Sequence, residues 1–339
     1  MRAARLHTIG GLIQIDEVPT PEIGDDEVLV QTKTCGVCRT DLHKIDGLGH
    51  LQSLPHTLGH EAAGVVAKTG RNVTNLNVGQ PVVPHDFFTC GQCYYCRVGR
   101  DSLCVQPKVF GSTVNGGFAD YFAAPAKNLF ELPEHTPFEQ AGLISCAVIT
   151  ALHAFRRSEL CLNDTAVVMG AGNVGQNLIQ ILKLARVQVI AIDRSQAKLQ
   201  IASQLGADFV LDADAIDATQ QIKAFAGGDG VQGVFDIVGL SSTSKAAADY
   251  VMRGGRIVLI GEEPEFLMID STQIAQRELE IIGSRNGSRQ DIIDAISMVG
   301  AGLISPLIAH RFPLVDINEA LALMRSGEAE GKIVIEISE

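Results

Sequence analysis

Basic residues are scarce in this chain of 339 residues. Lysine and arginine together number 27, against 39 aspartates and glutamates, which leaves a formal net charge of −12 at pH 7. Binding to nucleic acid depends on basic side chains that neutralise phosphates. The shortage excludes a nucleic acid as the expected partner.

The sequence also lacks the segments that direct a chain into or across a membrane. No uninterrupted apolar run reaches the ~18 residues that a membrane span requires. His7, Gly10 and Gln14 stand where a signal peptide would have its apolar core. We expect a soluble, cytoplasmic protein without a membrane partner. In that reducing compartment the eight cysteines are more readily metal ligands than disulfides.

Internal repeats and low-complexity tracts are absent too, so the length of 339 residues points to two ordinary globular domains. Short strand-like runs such as residues 27–31 and 63–67, separated by Gly and Pro turns, make residues 1–147 a predicted β-rich domain. From residue 164 onward, apolar strand-like runs alternate with helical stretches, which predicts a parallel sheet covered by helices on both faces. The chain is therefore predicted to be α/β, with a domain of residues 148–285 inserted between residues 1–147 and 286–339.

A glycine-rich sequence, Gly170-Ala171-Gly172-Asn173-Val174-Gly175, follows an apolar strand and opens a predicted helix. In that context the first Gly permits a tight turn, the second lets the backbone approach a pyrophosphate, and the third lets helix and strand pack closely. Asp193 ends the next strand, where a carboxylate binds the ribose hydroxyls and repels a 2′-phosphate. NAD is therefore predicted over NADP, although the adjacent Arg194 could soften the preference.

Four cysteines, Cys90, Cys93, Cys96 and Cys104, follow one another at C-x2-C-x2-C-x7-C spacing. Four thiolates this close together can converge on one tetrahedral ion, and zinc bound by four sulfurs forms a closed structural site. An iron–sulfur cluster is the chemical alternative, but no other feature calls for electron transfer. We predict a structural zinc.

The sequence Gly59-His60-Glu61-Ala62-Ala63-Gly64, with the preceding segment Cys35–His43, resembles the zinc signature of the medium-chain alcohol dehydrogenases. Together with the cysteine cluster and the inserted dinucleotide domain, the resemblance covers essentially the whole chain. It implies a GroES-like catalytic domain, a doubly wound (Rossmann) cofactor domain, and two zinc ions per subunit.

The resemblance also implies the ligands of a catalytic zinc, namely Cys38, His60 and Cys146. Glu61 is similar to the family's nearby carboxylate, which tunes the site or ligates the metal transiently. Asp41 would accept the free N–H of His60 and so fix its tautomer. Cys35 and Cys161 have no implied role and are predicted to be packing residues, because a Cys35–Cys38 redox pair would compete with ligation.

By the same resemblance, Thr40 takes the alcohol proton and passes it through the ribose hydroxyl to His43, which releases it to solvent. Val238 and Ile260 are predicted to border the nicotinamide because they end the fourth and fifth strands of the parallel sheet. Further cofactor contacts are implied for Arg39, Thr150, Lys198 and Lys332. Lys332 stands where the family often has Arg, and a lysine supplies a point charge instead of a fork.

The predicted function is reversible hydride transfer between a primary or secondary alcohol and NAD, giving an aldehyde or ketone. A polyol or amino-alcohol dehydrogenase and a non-catalytic NAD-binding protein are the alternatives. The segment between Cys104 and Cys146 is similar in length to that of tetrameric microbial members, which favours a homotetramer over a dimer. His85 and Asp86, which precede the cysteine cluster, are predicted to face solvent.

Overall fold

The structure is a computed structural model, and it describes residues 1–338. The strands, in chain order, are β1 (Arg2–Leu6), β2 (Ile13–Glu17), β3 (Glu27–Gly36), β4 (His56–Thr57), β5 (Glu61–Thr69), β6 (Pro81–Pro84), β7 (Phe87–Phe88), β8 (Lys108–Val109), β9 (Tyr121–Pro125), β10 (Leu129–Glu131), β11 (Thr165–Met169), β12 (Gln188–Asp193), β13 (Phe209–Asp212), β14 (Val231–Asp236), β15 (Val251–Leu259), β16 (Glu280–Gly283), β17 (Ile308–Pro313) and β18 (Lys332–Glu336).

The α-helices, in chain order, are α1 (Arg39–Ile45), α2 (Tyr94–Arg97), α3 (Phe138–Leu143), α4 (Ile149–Ser158), α5 (Asn173–Leu184), α6 (Gln196–Gln204), α7 (Ala218–Ala226), α8 (Ser241–Tyr250), α9 (Ser271–Arg277), α10 (Arg289–Gly300) and α11 (Ile317–Ser326). A π-helical turn, Ile144–Val148, joins α3 to α4, and short 3₁₀ turns cover Asp101–Leu103, Ala126–Asn128 and Leu314–Asp316.

The chain divides into two compact units. The first combines residues 1–149 with the chain from residue 287 onward, and the second is residues 150–286. The boundaries predicted from the sequence lie at 147/148 and 285/286, where β-rich patterning gives way to alternating strands and helices and then returns.

The first unit is built around β3, whose ten residues form the longest strand in the part of the chain that the structure describes. The strand order is β10-β6-β5-β3-β18-β17, and β9 also pairs with β3. β3 runs antiparallel to β5, β9 and β18. A core that includes Phe110, Phe118 and Phe122, each at most 2% exposed, packs against these strands. The predicted β-rich architecture is confirmed.

The second unit is a parallel sheet with strand order β13-β12-β11-β14-β15-β16. All five side chains of β11 are buried, as expected of a strand covered by helices on both faces. The chain order reverses between β11 and β14, and in such doubly wound sheets ligands bind at the carboxyl ends of the strands on either side of the reversal. The predicted Rossmann topology is confirmed.

A continuous helical run, Phe138–Ser158, is the part of the fold that the sequence analysis did not predict. Within residues 1–338 it is the single helical stretch with the length and hydropathy of a membrane span, and 61% of its apolar window is buried inside the protein. The stretch does not contain ~18 uninterrupted apolar residues, because Glu139, Gln140 and His153 interrupt it. Core helices of soluble proteins pass the same length test, so the stretch is weak evidence for a membrane.

Candidate functional site

The four-cysteine lobe forms a compact cluster of sulfurs. One ligand atom from each of Cys90, Cys93, Cys96 and Cys104 lies within 4.8 Å of the others. The Sγ of Cys96 is 3.5 Å from that of Cys93 and 3.9 Å from that of Cys90. Four sulfurs each ~2.3 Å from a tetrahedral zinc would be about 3.8 Å apart. The sulfur positions therefore fit a single bound ion.

Backbone amides point at these sulfurs, as they do around metal-bound thiolates. The N–H of Cys93 donates to Cys90 Sγ at 3.4 Å, and the N–H of Cys90 donates to Cys104 Sγ at 3.4 Å. Backbone hydrogen bonds from Cys96 and Val105 lower the pKa of the Cys93 thiol to about 6. The pKa of the Cys90 thiol is lowered as well, by backbone hydrogen bonds, whereas burial raises the pKa of the Cys96 thiol to about 12. Two of the four sulfurs are therefore favoured as thiolates before a cation binds.

A second cluster combines Cys38, His60, Glu61 and Cys146, again with one ligand atom from each within 4.8 Å of the rest. Cys38 follows β3 and precedes α1, and His60 immediately precedes β5. Because β3 and β5 are paired, with Gly36 opposite Glu61, the two neighbouring strands bring these residues together although they are far apart in sequence.

Cys146 joins this cluster from the π-helical turn Ile144–Val148. A π-turn inserts an extra residue into a helix and so changes where the side chains point, and such turns are frequent at functional sites. Nothing in the spacing of the cysteines indicates this local geometry. The turn places the sulfur of Cys146 beside Cys38 and His60, as the third candidate metal ligand.

The ionisable side chains of the second cluster shift one another's pKa values. The Cys38 thiol has a pKa well below its ordinary value because it is hydrogen-bonded to Cys146 and lies beside His60. Burial disfavours the charged form of His60, but Asp41 and Cys38 outweigh that effect and raise its pKa to about 10. Two sulfurs and one imidazole that converge in this way are a donor set that suits zinc once the thiols are deprotonated and the ring is neutral.

Asp41 is fully buried and lies against both Cys38 and His60. Its Oδ1 is 3.4 Å from His60 Nδ1, and its Oδ2 accepts the backbone N–H of Cys38 at 3.0 Å. With Nδ1 directed at the carboxylate, His60 Nε2 is left for a metal. The carboxylate thus lies close to the His60 ring, but Nδ1 has no hydrogen-bond partner within residues 1–338, so acceptance of the His60 N–H by Asp41 stays a prediction.

Glu61 has a partner that the sequence analysis did not predict. Its carboxylate forms an ion pair with the ammonium of Lys332, and both side chains are buried, at 0% and 2% exposed. Burial raises the pKa of Glu61 to about 7 although Lys332 opposes the shift. The structure places this ammonium on Glu61, whereas the resemblance implied a cofactor contact.

Helix α1 carries the two residues predicted to move the proton, Thr40 and His43, and one predicted cofactor contact, Arg39. Thr40 Oγ1 is 3.6 Å from Cys38 Sγ, so the hydroxyl is adjacent to the second cluster. Thr40 and Arg39 are exposed and His43 is half-buried. Thr40 and His43 lie three residues apart on one helix, which places them on the same face.

Two predictions about burial are wrong. His85 and Asp86 are 1% and 5% exposed instead of facing solvent. The imidazole accepts the N–H of Phe87 at Nδ1 and lies 3.0 Å from the carbonyl of Gly287 at Nε2, which satisfies both nitrogens of a neutral ring. Cys161, predicted to pack in the core, is exposed, whereas Cys35 is buried.

The glycine-rich loop lies between β11 and α5, and its three glycines differ in what surrounds them. Gly170 has a φ of +101°, a conformation that favours glycine. A Cβ on Gly175 would overlap the carbonyl oxygen of Gly170, whereas a Cβ on Gly172 would meet nothing within 4 Å. The space at the Cβ position of Gly172 is open, and no side chain caps the backbone N–H groups at the start of α5.

Asp193 links this loop to the next helix. Its carboxylate accepts the N–H of Ala171 at 2.8 Å and the N–H of Ser195 at 2.9 Å. Lys198 lies in the first turn of α6, where its N–H bonds to Ser195 Oγ at 3.4 Å. The structure thus brings Asp193 and the glycine loop together, and it places Lys198 one helical turn away.

Val238 and Ile260 follow β14 and β15, rather than ending them as predicted. Asp236, a fully buried residue that the sequence analysis did not single out, holds both loops. Its Oδ1 accepts the N–H groups of Val238 and Gly239, and its backbone carbonyl accepts the N–H of Ile260. Its position as the last residue of an apolar strand was the signal that could have identified it. Thr150, predicted to lie against the nicotinamide, is buried near the start of α4.

A cluster of metal-binding side chains in one unit and a dinucleotide-type glycine loop in the other define a class: metal-dependent oxidoreductases that use a dinucleotide. Residues 24–134 match the family described as alcohol dehydrogenase GroES-like domain, and residues 173–301 match the family described as zinc-binding dehydrogenase. The chain belongs to the zinc-containing medium-chain alcohol dehydrogenase family.

Relatives match along the entire chain. An alcohol dehydrogenase of Geobacillus stearothermophilus is 34% identical over 99% of this chain and 100% of its own length. An NAD-dependent alcohol dehydrogenase of Sulfurisphaera tokodaii is 31% identical, with 99% of each chain covered. The crystal structure of an NAD-dependent alcohol dehydrogenase aligns over 100% of both chains with a TM-score of 0.94 and 29% identity.

Proposed function

We propose that this protein is a zinc-dependent oxidoreductase that transfers a hydride reversibly between a primary or secondary alcohol and NAD, giving an aldehyde or ketone. The observation that carries the proposal is the convergence of Cys38, His60 and Cys146, with Glu61 beside them, on one buried position. Full-length relatives named alcohol dehydrogenase and NAD-dependent alcohol dehydrogenase support it.

Cys38, His60 and Cys146 would hold the catalytic zinc, and their donor set fits it because two thiolates balance the charge of the divalent ion. Bound there, zinc acts as a Lewis acid that polarises the alcohol oxygen and favours loss of its proton. Cys90, Cys93, Cys96 and Cys104 would hold a second, structural zinc, which makes two ions per subunit.

The proton path uses side chains on α1. Thr40 Oγ1, next to Cys38 Sγ, takes the proton of the alcohol, and the half-buried imidazole of His43 passes it to solvent. The chain thereby separates the removal of the proton from the removal of the hydride.

The second unit would bind NAD and the first would carry the alcohol chemistry, with the predicted domain boundaries at 147/148 and 285/286. Gly172 and Val174 would face the pyrophosphate and Asp193 the adenosine ribose. The remaining proposed cofactor contacts are Arg39, Thr150, Lys198, Val238, Ile260 and Lys332. The ammonium of Lys332 also pairs with Glu61.

The polyol or amino-alcohol alternative and the non-catalytic alternative are not favoured. A sulfur ligand stands at Cys146, and the ligands that a non-catalytic descendant would lose are present and converge. We also propose that the enzyme acts in the cytoplasm as a homotetramer, with a dimer as the alternative. Analytical ultracentrifugation of the purified protein distinguishes the two assemblies.

The test of the function is NADH formation with a panel of alcohols, before and after treatment with a metal chelator. We expect turnover of at least one simple alcohol and its loss on chelation. A protein that contains metal at both clusters and binds NAD, yet turns over no alcohol on the panel, would contradict the proposal.

A further inference from the structure

The buried ion pair between Glu61 and Lys332 lies beside the metal position, and it joins two strands that are not neighbours. Glu61 begins β5 and Lys332 begins β18, and β3 separates these strands in the sheet. Gly36, at the end of β3, pairs with Glu61 on one side and with Val334 on the other. The two charged side chains therefore meet across the end of the middle strand.

Gly36 makes that meeting possible because it has no side chain. A Cβ built at this position would overlap Glu61 Oε2 and would come within 2.9 Å of Lys332 Cε and 2.8 Å of Leu143 Cδ2. Real Cβ atoms do not approach other heavy atoms so closely. A glycine thus stands at the position of β3 beside which the Glu61 carboxylate and the Lys332 ammonium meet.

The Glu61 carboxylate is also within reach of the metal position. One of its oxygens lies within 4.8 Å of the ligand atoms of Cys38, His60 and Cys146. A zinc site with four protein ligands is closed, whereas a catalytic site keeps one position open. A carboxylate in this location can therefore close the site unless another group holds it.

We propose that Lys332 is a positioning residue that holds the Glu61 carboxylate off the metal and so keeps the fourth coordination position open. This inference rests on the proposed function, because it requires a metal bound by Cys38, His60 and Cys146. Without the ammonium, the buried carboxylate has the metal as its available cation, and a buried charge that loses its partner is strongly destabilised until it finds another. Coordination of Glu61 then converts an open site into a closed one.

Cobalt(II) in place of zinc reports its ligand set through its visible absorption, and azide that binds at an open position changes that spectrum. In Lys332→Met, which keeps the length of the side chain and removes its charge, we expect a cobalt spectrum that differs from that of the unmodified protein and no longer responds to azide, because Glu61 occupies the fourth position. Zinc should also leave this variant more slowly in the presence of a chelator, by about tenfold, since one more ligand holds it. The intact cysteine lobe contributes the same absorption to every variant.

Three further variants separate positioning from a general packing defect. Lys332→Arg keeps the charge, and the double variant Lys332→Met/Glu61→Gln removes the carboxylate that would bind, so both should restore the original spectrum. Lys44→Met removes another buried lysine of this unit, whose ammonium bonds to the carbonyl of Gly111, and should leave the cobalt spectrum and its response to azide unchanged.

A Lys332→Met protein with the original cobalt spectrum and the original zinc release rate would overturn the inference. If Lys332→Met does not fold, Gly36→Ala decides, because its methyl group separates the same pair while both charges remain; an unaltered spectrum there overturns the inference equally. If Cys146→Ser does not change the cobalt content, no metal occupies this cluster, and the proposed function fails together with the inference.

Discussion

His56 is a buried histidine whose protonation opposes folding. It is 3% exposed, and its Nε2 has no hydrogen-bond partner among residues 1–338. Burial, and secondarily the charge of Lys44, lower its pKa from 6.5 to about 4. The folded state therefore resists a proton that the unfolded chain accepts below pH 6.5.

The sign of the pH dependence follows from that difference. Above pH 6.5 the imidazole is mostly neutral in both states, so it has little effect on the free energy of unfolding. As the pH falls from 6.5 toward 4, only the unfolded state binds the proton, and the unfolded state is therefore increasingly favoured. We expect His56 to account for a loss of about 1–2 kcal/mol in the free energy of unfolding between pH 7 and pH 5. Urea unfolding of the unmodified protein and of His56→Gln at both pH values measures it, and equal losses in the two proteins would contradict the assignment.

Asp193 is predicted to set the choice of cofactor. Replacement by glycine removes the carboxylate that repels a 2′-phosphate, so in Asp193→Gly the ratio of kcat/KM for NAD to that for NADP should fall by at least about tenfold. Asp229→Asn is the matched control, since this exposed carboxylate of the same unit pairs with Arg253 at 3.9 Å outside the glycine loop. A ratio that stays the same in Asp193→Gly, or falls equally in the control, would refute the role.

At the scale of the element, two glycines of the loop before α5 are predicted to have different roles: Gly175 allows close packing, and Gly172 leaves room for the cofactor. In Gly175→Ala the methyl group would overlap the Gly170 carbonyl, so we expect a loss of about 1–3 kcal/mol in stability. Gly172 has a φ of −77° and open space around its Cβ position, so Gly172→Ala should fold normally.

The same Gly172→Ala protein should nevertheless bind NADH more weakly, because its methyl group occupies space where the pyrophosphate is expected. Thermal unfolding together with titration of NADH fluorescence measures both quantities in both variants. Normal stability in Gly175→Ala, or unimpaired NADH binding in Gly172→Ala, would each contradict one half of the prediction.

Helices and strands with a strong local pattern were predictable from the sequence. The π-turn at Cys146 and the ion pair between Glu61 and Lys332 were not. The predicted strands at residues 27–31 and 63–67 lie within β3 and β5, since the pattern that indicates a strand depends on near neighbours. The π-turn that presents Cys146 depends on how a long helix packs. The crossing of Glu61 and Lys332 over Gly36 depends on strand order, which no local pattern encodes.

At the scale of the whole molecule, the two metal clusters have separate consequences for stability and for chemistry. Helix α2 of the cysteine lobe has no buried residue, and the lobe contacts the rest of the first unit through the buried Asp101, whose carboxylate lies 3.7 Å from Arg289. The second cluster is embedded among buried strands of the first unit. Loss of an ion from the lobe should therefore unfold local structure, whereas loss from the second cluster should remove reactivity.

A reciprocal pair of variants tests this separation. Metal analysis of the purified protein should give about two ions per chain, and each of Cys93→Ser and Cys146→Ser should lower the content by about one. Cys93→Ser should lower Tm by about 5 °C or more, as expected for a loss of ~2–3 kcal/mol, while the folded fraction still turns over alcohol. Cys146→Ser should keep a Tm near that of the unmodified protein and lose turnover. If both variants lost the same property, the two clusters would form one functional site, and the division of labour between them would be wrong.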